Sequence, residues 1–197
     1  MKRVMSLILV GTFVCLYGVA VNASEINGTE PFNLIEYCKE NEIQSEEELQ
    51  TVLETYVGES NITTGDELSD TEVSFELIID EVNQLVITTT VYESDRLRGS
   101  VSGYTTQKYR NNLGILIFEV RVDASFSYNG STCSTTSATA TYTPAPLSSW
   151  SSSPSVTSGK SGSRAYGRAY GTAVNGSHSQ YYSVYLYCDV NGNLSAT

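Results

Sequence analysis

The sequence has one histidine, one tryptophan and four cysteines in 197 residues. A lone histidine, His178, excludes any zinc site that needs paired imidazoles, and the cysteines do not supply zinc-ligand spacing. A Ser-His-Asp triad would have to use His178, which sits beside a turn where an exposed structural histidine is the ordinary reading. Acidic residues are also scarce where strands are densest: from Arg96 onward there are only Glu119, Asp123 and Asp189. Nothing there singles out the two carboxylates that glycoside hydrolysis requires. The acidic stretch around Asp66, Glu67 and Asp70 lacks the order of a calcium loop. Gly159-Lys160-Ser161-Gly162 lacks the upstream glycine of a phosphate-binding loop. These gaps leave an enzyme disfavoured, with no catalytic residue, metal or cofactor assigned.

Long apolar runs are missing as well, with one exception. Val4–Val21 is almost wholly apolar behind Lys2 and Arg3, and Val21-Asn22-Ala23 has the small residues of a cleavage site. Residues 1–23 therefore read as a secretory signal peptide, and the mature chain is expected to be secreted (extracellular), without stable membrane insertion. Six Asn-x-Ser/Thr sequons begin at Asn22, Asn27, Asn61, Asn129, Asn175 and Asn193. Asn129 and Asn175 already have turn roles, and the signal has a bacterial look.

Charge is divided along the chain. Ser24 to Asp95 holds nineteen acids and one base, Lys39, whereas Arg96 to Thr197 holds eight bases and three acids. Removing Lys2 and Arg3 with the leader takes the net charge from −11 to −13, so nucleic acid is a poor partner.

Residues 24–70 read as an acidic helical head and linker. Phe32, Leu34, Ile35 and Cys38 recur at helical spacing behind Pro31. Ser45 and Glu48 form a capping box ahead of Leu49, Val52, Leu53 and Tyr56, and Gly58 ends the stripe. Residues 71–197 read as an antiparallel β-sandwich of about seven short strands, making the chain mainly β. Val73, Phe75, Leu77 and Ile79 alternate, Leu85–Tyr92 is largely β-branched, and Arg98–Gly103 is a further candidate strand. In Leu113–Tyr128, the residues Leu116, Phe118, Val120, Val122, Ala124, Phe126 and Tyr128 share one face. Asn129-Gly130 turns into a strand over Thr132–Thr143, ended by Pro144 and Pro146. Leu147–Gly162 is Ser-rich and anchored by Trp150. A last hairpin turns at Asn175-Gly176, placing Val174 opposite Ser177.

Cys38, Cys133 and Cys188 follow the leader. Secretion and a shared β-region pair Cys133 with Cys188 in a disulfide worth about 3–4 kcal/mol, leaving Cys38 free.

Arg164-Ala-Tyr-Gly-Arg-Ala-Tyr-Gly171 is the one patterned surface. Its period of four puts Arg164, Tyr166, Arg168 and Tyr170 on one strand face. Hairpin pairing adds Tyr181, Tyr185 and Tyr187. The opposite face carries Ala165, Gly167 and Ala169 against Tyr182, Val184, Leu186 and Cys188. The ladder suits a ligand, with guanidinium groups for anions and tyrosines for sugar or peptide stacking. The competing reading is a solvated face stabilised by Tyr–Arg packing.

Phe126-Ser-Tyr-Asn-Gly130 leading to Cys133, the loop with Trp150, the small-residue run Ser163–Ala173, and Tyr187-Cys188-Asp-Val-Asn-Gly192 carry a resemblance. Over about Leu113–Thr197 the chain resembles uncharacterised small secreted β-sandwich proteins of Gram-positive bacteria, which have no assigned activity. It has a weaker similarity to lactococcin-972-type bacteriocins, which are small secreted β-sandwich toxins. The first resemblance implies a secreted bacterial β-sandwich. With the Arg/Tyr ladder as its candidate face, the leading reading is a secreted, non-enzymatic binding or cell-surface-associated module whose partner is a cell-surface glycan or another protein. The second reading is a bacteriocin-like toxin whose acidic N-terminal half is a pro-segment masking a basic C-terminal module. A hydrolase with an unrecognised carboxylate site is the third alternative.

Overall fold

The structure, a computed structural model, describes residues 32–57 and 70–197. The leader, its cleavage site and most of the acidic linker lie outside those residues. The chain divides into two units, of which Asn33–Thr197 carries every described element.

Helix α1 (Leu34–Asn41) starts where the Asn33 side chain accepts from the backbone N–H groups of Ile35 and Glu36. Helix α2 (Glu46–Tyr56) starts at the Ser45–Glu48 capping box, with both reciprocal bonds present. Each buries one apolar stripe: Leu34, Ile35 and Cys38 in α1, and Leu49, Val52 and Leu53 in α2. Such short helices are marginal alone. Here they rest on a sheet, with Leu34 and Leu53 crowding the turn at Gly114.

Among the described residues nine strands follow: β1 (Thr71–Asp80), β2 (Leu85–Leu97), β3 (Ser100–Asn111), β4 (Leu116–Tyr128), β5 (Cys133–Pro144), β6 (Ser155–Ser161), β7 (Arg164–Asn175), β8 (His178–Cys188) and β9 (Leu194–Ala196). They form a five-stranded sheet, β1-β2-β3-β4-β5, and a four-stranded sheet, β6-β7-β8-β9, antiparallel throughout. The chain is mainly β and sandwich-like, as the alternation predicts. The core lies between the sheets. Val120, Val122 and Phe126 of β4 meet Ala165, Ala169, Val184 and Leu186 of the smaller sheet. At one end Phe118 gathers Tyr109, Tyr142, Trp150 and Tyr182 into an aromatic cluster.

Small residues on β7 set the spacing. A Cβ on Gly167 would lie 2.9 Å from the Cβ of Ala124 and 3.2 Å from that of Ala138. The β7 backbone therefore comes down onto the larger sheet, and only a residue without a side chain fits.

Three strands differ from the sequence reading. β3 runs on through Tyr104–Arg110, where polar residues occupy both faces and hide the alternation. β6 lies in the Ser-rich stretch read as loop, and β9 is too short to carry a pattern. The β7–β8 register also differs. Asn175 pairs with His178, so the two-residue loop is Gly176-Ser177, not Asn175-Gly176. Gly176 has φ +59°, whereas Asn175 is not left-handed. A glycine at the first central position is the II′ hairpin pattern, and the I′ turn expected from Asn-Gly would need both residues left-handed. The shift is two residues, so every side chain keeps its face.

Candidate functional site

The outer face of the smaller sheet is built row by row across its strands. Tyr170 pairs with Ser155 on β6 and Ser183 on β8; Arg168 pairs with Thr157 and Tyr185; Tyr166 pairs with Gly159 and Tyr187. Tyr187 continues to Ser195 on β9. Arg164, Tyr166, Arg168, Tyr170, Tyr185 and Tyr187 are thus brought together, with Tyr181 at the margin near the hairpin. Each expected pairing moves by one row: Tyr166 faces Tyr187 and Arg168 faces Tyr185.

The rings form a continuous patch. Tyr185 and Tyr187 are stacked at 5.3 Å with 6° between planes, and Tyr166 meets them edge-on at 5.5 Å and 6.1 Å. Gly159 opposite Tyr166 leaves room for that ring: a Cβ there would lie 2.8 Å from the Tyr166 hydroxyl. The cations are seated on the rings. Arg164 lies 4.4 Å from the Tyr187 centroid, and Arg168 lies 4.6 Å from Tyr170 and 5.0 Å from Tyr185. Arg168 is fixed further. Its Nε donates to Ser183 Oγ and its Nη2 to Tyr181 Oη, both at 3.0 Å.

Strands β6–β9 carry no Asp or Glu. Asp189, the one acid after β6 begins, spends its side chain on its own turn, accepting from the N–H groups of Asn191 and Asn193 and from Asn193 Nδ2. Desolvation raises its pKa but is outweighed by these bonds, leaving the carboxyl below its usual range. The strands of this face therefore offer rings, hydroxyls and cations. His178 is exposed in the hairpin turn, paired with Asn175.

The outer face of the larger sheet is built differently. Glu46 of α2 accepts from Thr90 Oγ1 at 3.1 Å and Tyr92 Oη at 3.0 Å, and lies 3.6 Å from Lys108 Nζ. Arg110 is 3% exposed, and its Nε and Nη1 have no hydrogen-bond partner among the described residues. Burial lowers its pKa to about 10, against the pull of Glu46 and Glu119. Further along, Arg121 sits 3.6 Å over the Tyr104 ring and is held by Asp123. The sequence reading passed over this cluster. The Arg121-Val-Asp123 spacing was a usable signal, but Tyr104 belongs to the part of β3 that escaped notice.

The expected disulfide is not formed. Cys38, Cys133 and Cys188 are all buried free thiols. Cys133 opens β5 and Cys188 closes β8, where the Cys188 thiol donates to the Asp189 carbonyl at 3.3 Å. Burial first, then nearby Cys133 and the charge of Asp189, push the Cys188 thiol far up. The bridge that secretion and a shared β-region predict is therefore absent, although both thiols belong to the same core. Among the described residues no group of three or more His, Cys, Asp or Glu is placed to hold a metal ion.

No protein-family model, no curated protein and no solved structure matches this chain.

Proposed function

We propose that this chain is a secreted, non-enzymatic binding module that engages a cell-surface glycan through the outer face of β7 and β8. One observation carries the reading: Tyr166, Tyr185 and Tyr187 form a contiguous ring patch, with Arg164 and Arg168 seated on it. Aromatic rings present flat apolar faces with a hydroxyl at the tip, which suits sugar rings that are apolar on one side and polar at the edge. Ser155, Thr157, Ser183 and Ser195 flank the rings in the same rows and add hydroxyl partners. The helices bear on the opposite sheet through Glu46, Thr90 and Lys108. Those contacts lend no support to a pro-segment that masks the Arg/Tyr face.

The test is retention on insoluble cell-wall polysaccharide. Wild-type protein should be retained. A Tyr166→Ala, Tyr185→Ala double variant should wash through, and Arg121→Gln on the opposite sheet should bind as wild type. Retention of the double variant, or equal loss in Arg121→Gln, would overturn the proposal.

A further inference from the structure

Four of the nine cations among the described residues have a carboxylate partner: Lys39, Arg96, Lys108 and Arg121, with Glu81, Glu93, Glu46 and Asp123. Arg98, Arg110 and Lys160 have none among the described residues, and neither do Arg164 and Arg168, the two on the Arg/Tyr face. They are held by rings and hydroxyls, which fix a guanidinium without neutralising it. Arg168 is the clearer case. Ser183 and Tyr181 occupy Nε and one N–H of Nη2, so the end of the fork, with Nη1, has no hydrogen-bond partner among the described residues. A planar fork held in place with an unused end is pre-organised for an oxyanion.

Spacing adds a second constraint. Four residues of extended strand separate the two arginines, about 13 Å, and the rings of Tyr166, Tyr185 and Tyr187 lie between and beside them. A ligand matching this face carries negative charge at intervals and apolar sugar surface between the charges.

We infer that the ligand of this face is an acidic polysaccharide, a polymer of uronic acid residues whose carboxylates meet Arg164 and Arg168 while its rings lie on the tyrosines. The inference rests on the glycan reading above and specifies its chemistry. Of the acidic half, Glu46 and its helix lie on the outer face of the larger sheet, with both sheets between them and the Arg/Tyr face.

The experiment is affinity electrophoresis at about 0.15 M salt. The native gels contain polygalacturonate, alginate or hyaluronan, each set against its methyl-esterified form. Retardation should occur with the free acids and disappear with the esters. Arg168→Gln and Arg164→Gln should each weaken binding about tenfold, a step of roughly 1.4 kcal/mol. Arg168→Lys should fall between, since it keeps charge and loses the fork. All three variants are first shown to melt as wild type. Because Arg164 is exposed, its variant tests the inference even if those at Arg168 perturb the fold. Equal retardation by acid and ester would overturn the acidic specificity and leave the glycan platform standing. No retardation by any polymer would overturn both.

Discussion

Tyr185 and Tyr187 stand two residues apart on β8 with their rings parallel to within 6° and their centroids 5.3 Å apart. Residues at that spacing share a strand face, so the stack follows from the strand itself. Tyr166, one strand over, closes the patch edge-on. Tyr185→Ala removes the central ring and one of the two rings beside Arg168. Its cost to folding should be about 1 kcal/mol, read from urea denaturation. A loss several times larger would mean that the face is chiefly structural.

Gly167 marks the closest approach of the two sheets. Gly167→Ala adds a methyl group against those of Ala124 and Ala138. Overpacking of this kind should lower stability by roughly 1–3 kcal/mol. Unchanged thermal unfolding would contradict the close approach on which the core geometry rests.

Glu46 ties α2 to the larger sheet by accepting from Thr90 and Tyr92 and facing Lys108. Glu46→Ala withdraws the carboxylate from beside two cations, Lys108 and the buried Arg110, and should destabilise by about 1–3 kcal/mol. Arg110→Met, which replaces an under-bonded buried charge with an apolar chain, should be neutral or stabilising. Chemical denaturation reads both. The account is contradicted if Arg110→Met is the more damaging change.

Alkaline pH should destabilise the fold. Burial raises Cys38 from 9.0 to about 11 and pushes Cys188 up further. An acid whose folded pKa is raised contributes stability that is intact below its unfolded pKa and is lost as pH climbs toward the folded value. The loss therefore begins near pH 9. Above 10 the buried tyrosines join: Tyr104 and Tyr142 are each raised to about 12, and Tyr92 and Tyr109 are raised further, with burial the largest cause in every case. Melting temperature measured from pH 8 to 11 under reducing conditions should hold to about pH 9 and fall from there, and Cys38→Ala should flatten the part between 9 and 10. A flat profile would contradict the burial of these groups.

Much of this architecture is legible from residue order because period and burial coincide. Phe118, Val120, Val122, Ala124 and Phe126 alternate with polar neighbours, and each is buried in β4. Ser45 and Glu48 identify α2 through a local bond pair that needs no tertiary information. The face shared by Arg164, Tyr166, Arg168 and Tyr170 follows from alternation alone. The β7–β8 register does not, since registers two apart give identical faces and only turn geometry separates them. β3 escaped because Thr105, Thr106, Gln107 and Lys108 are polar and yet buried, Thr105 and Gln107 between the sheets and Lys108 beside Glu46. That burial is a product of tertiary packing and leaves no trace in hydropathy.

The most direct test of the central claim is a titration of isotope-labelled wild-type protein with oligogalacturonate, followed by NMR. The account predicts that shifts concentrate on the side chains of Arg164, Tyr166, Arg168, Tyr185 and Tyr187. Glu46, Tyr104 and Arg121 on the opposite sheet should stay still. Shifts centred on that opposite sheet, or none at millimolar ligand, would contradict the assignment of the Arg/Tyr face as the binding surface.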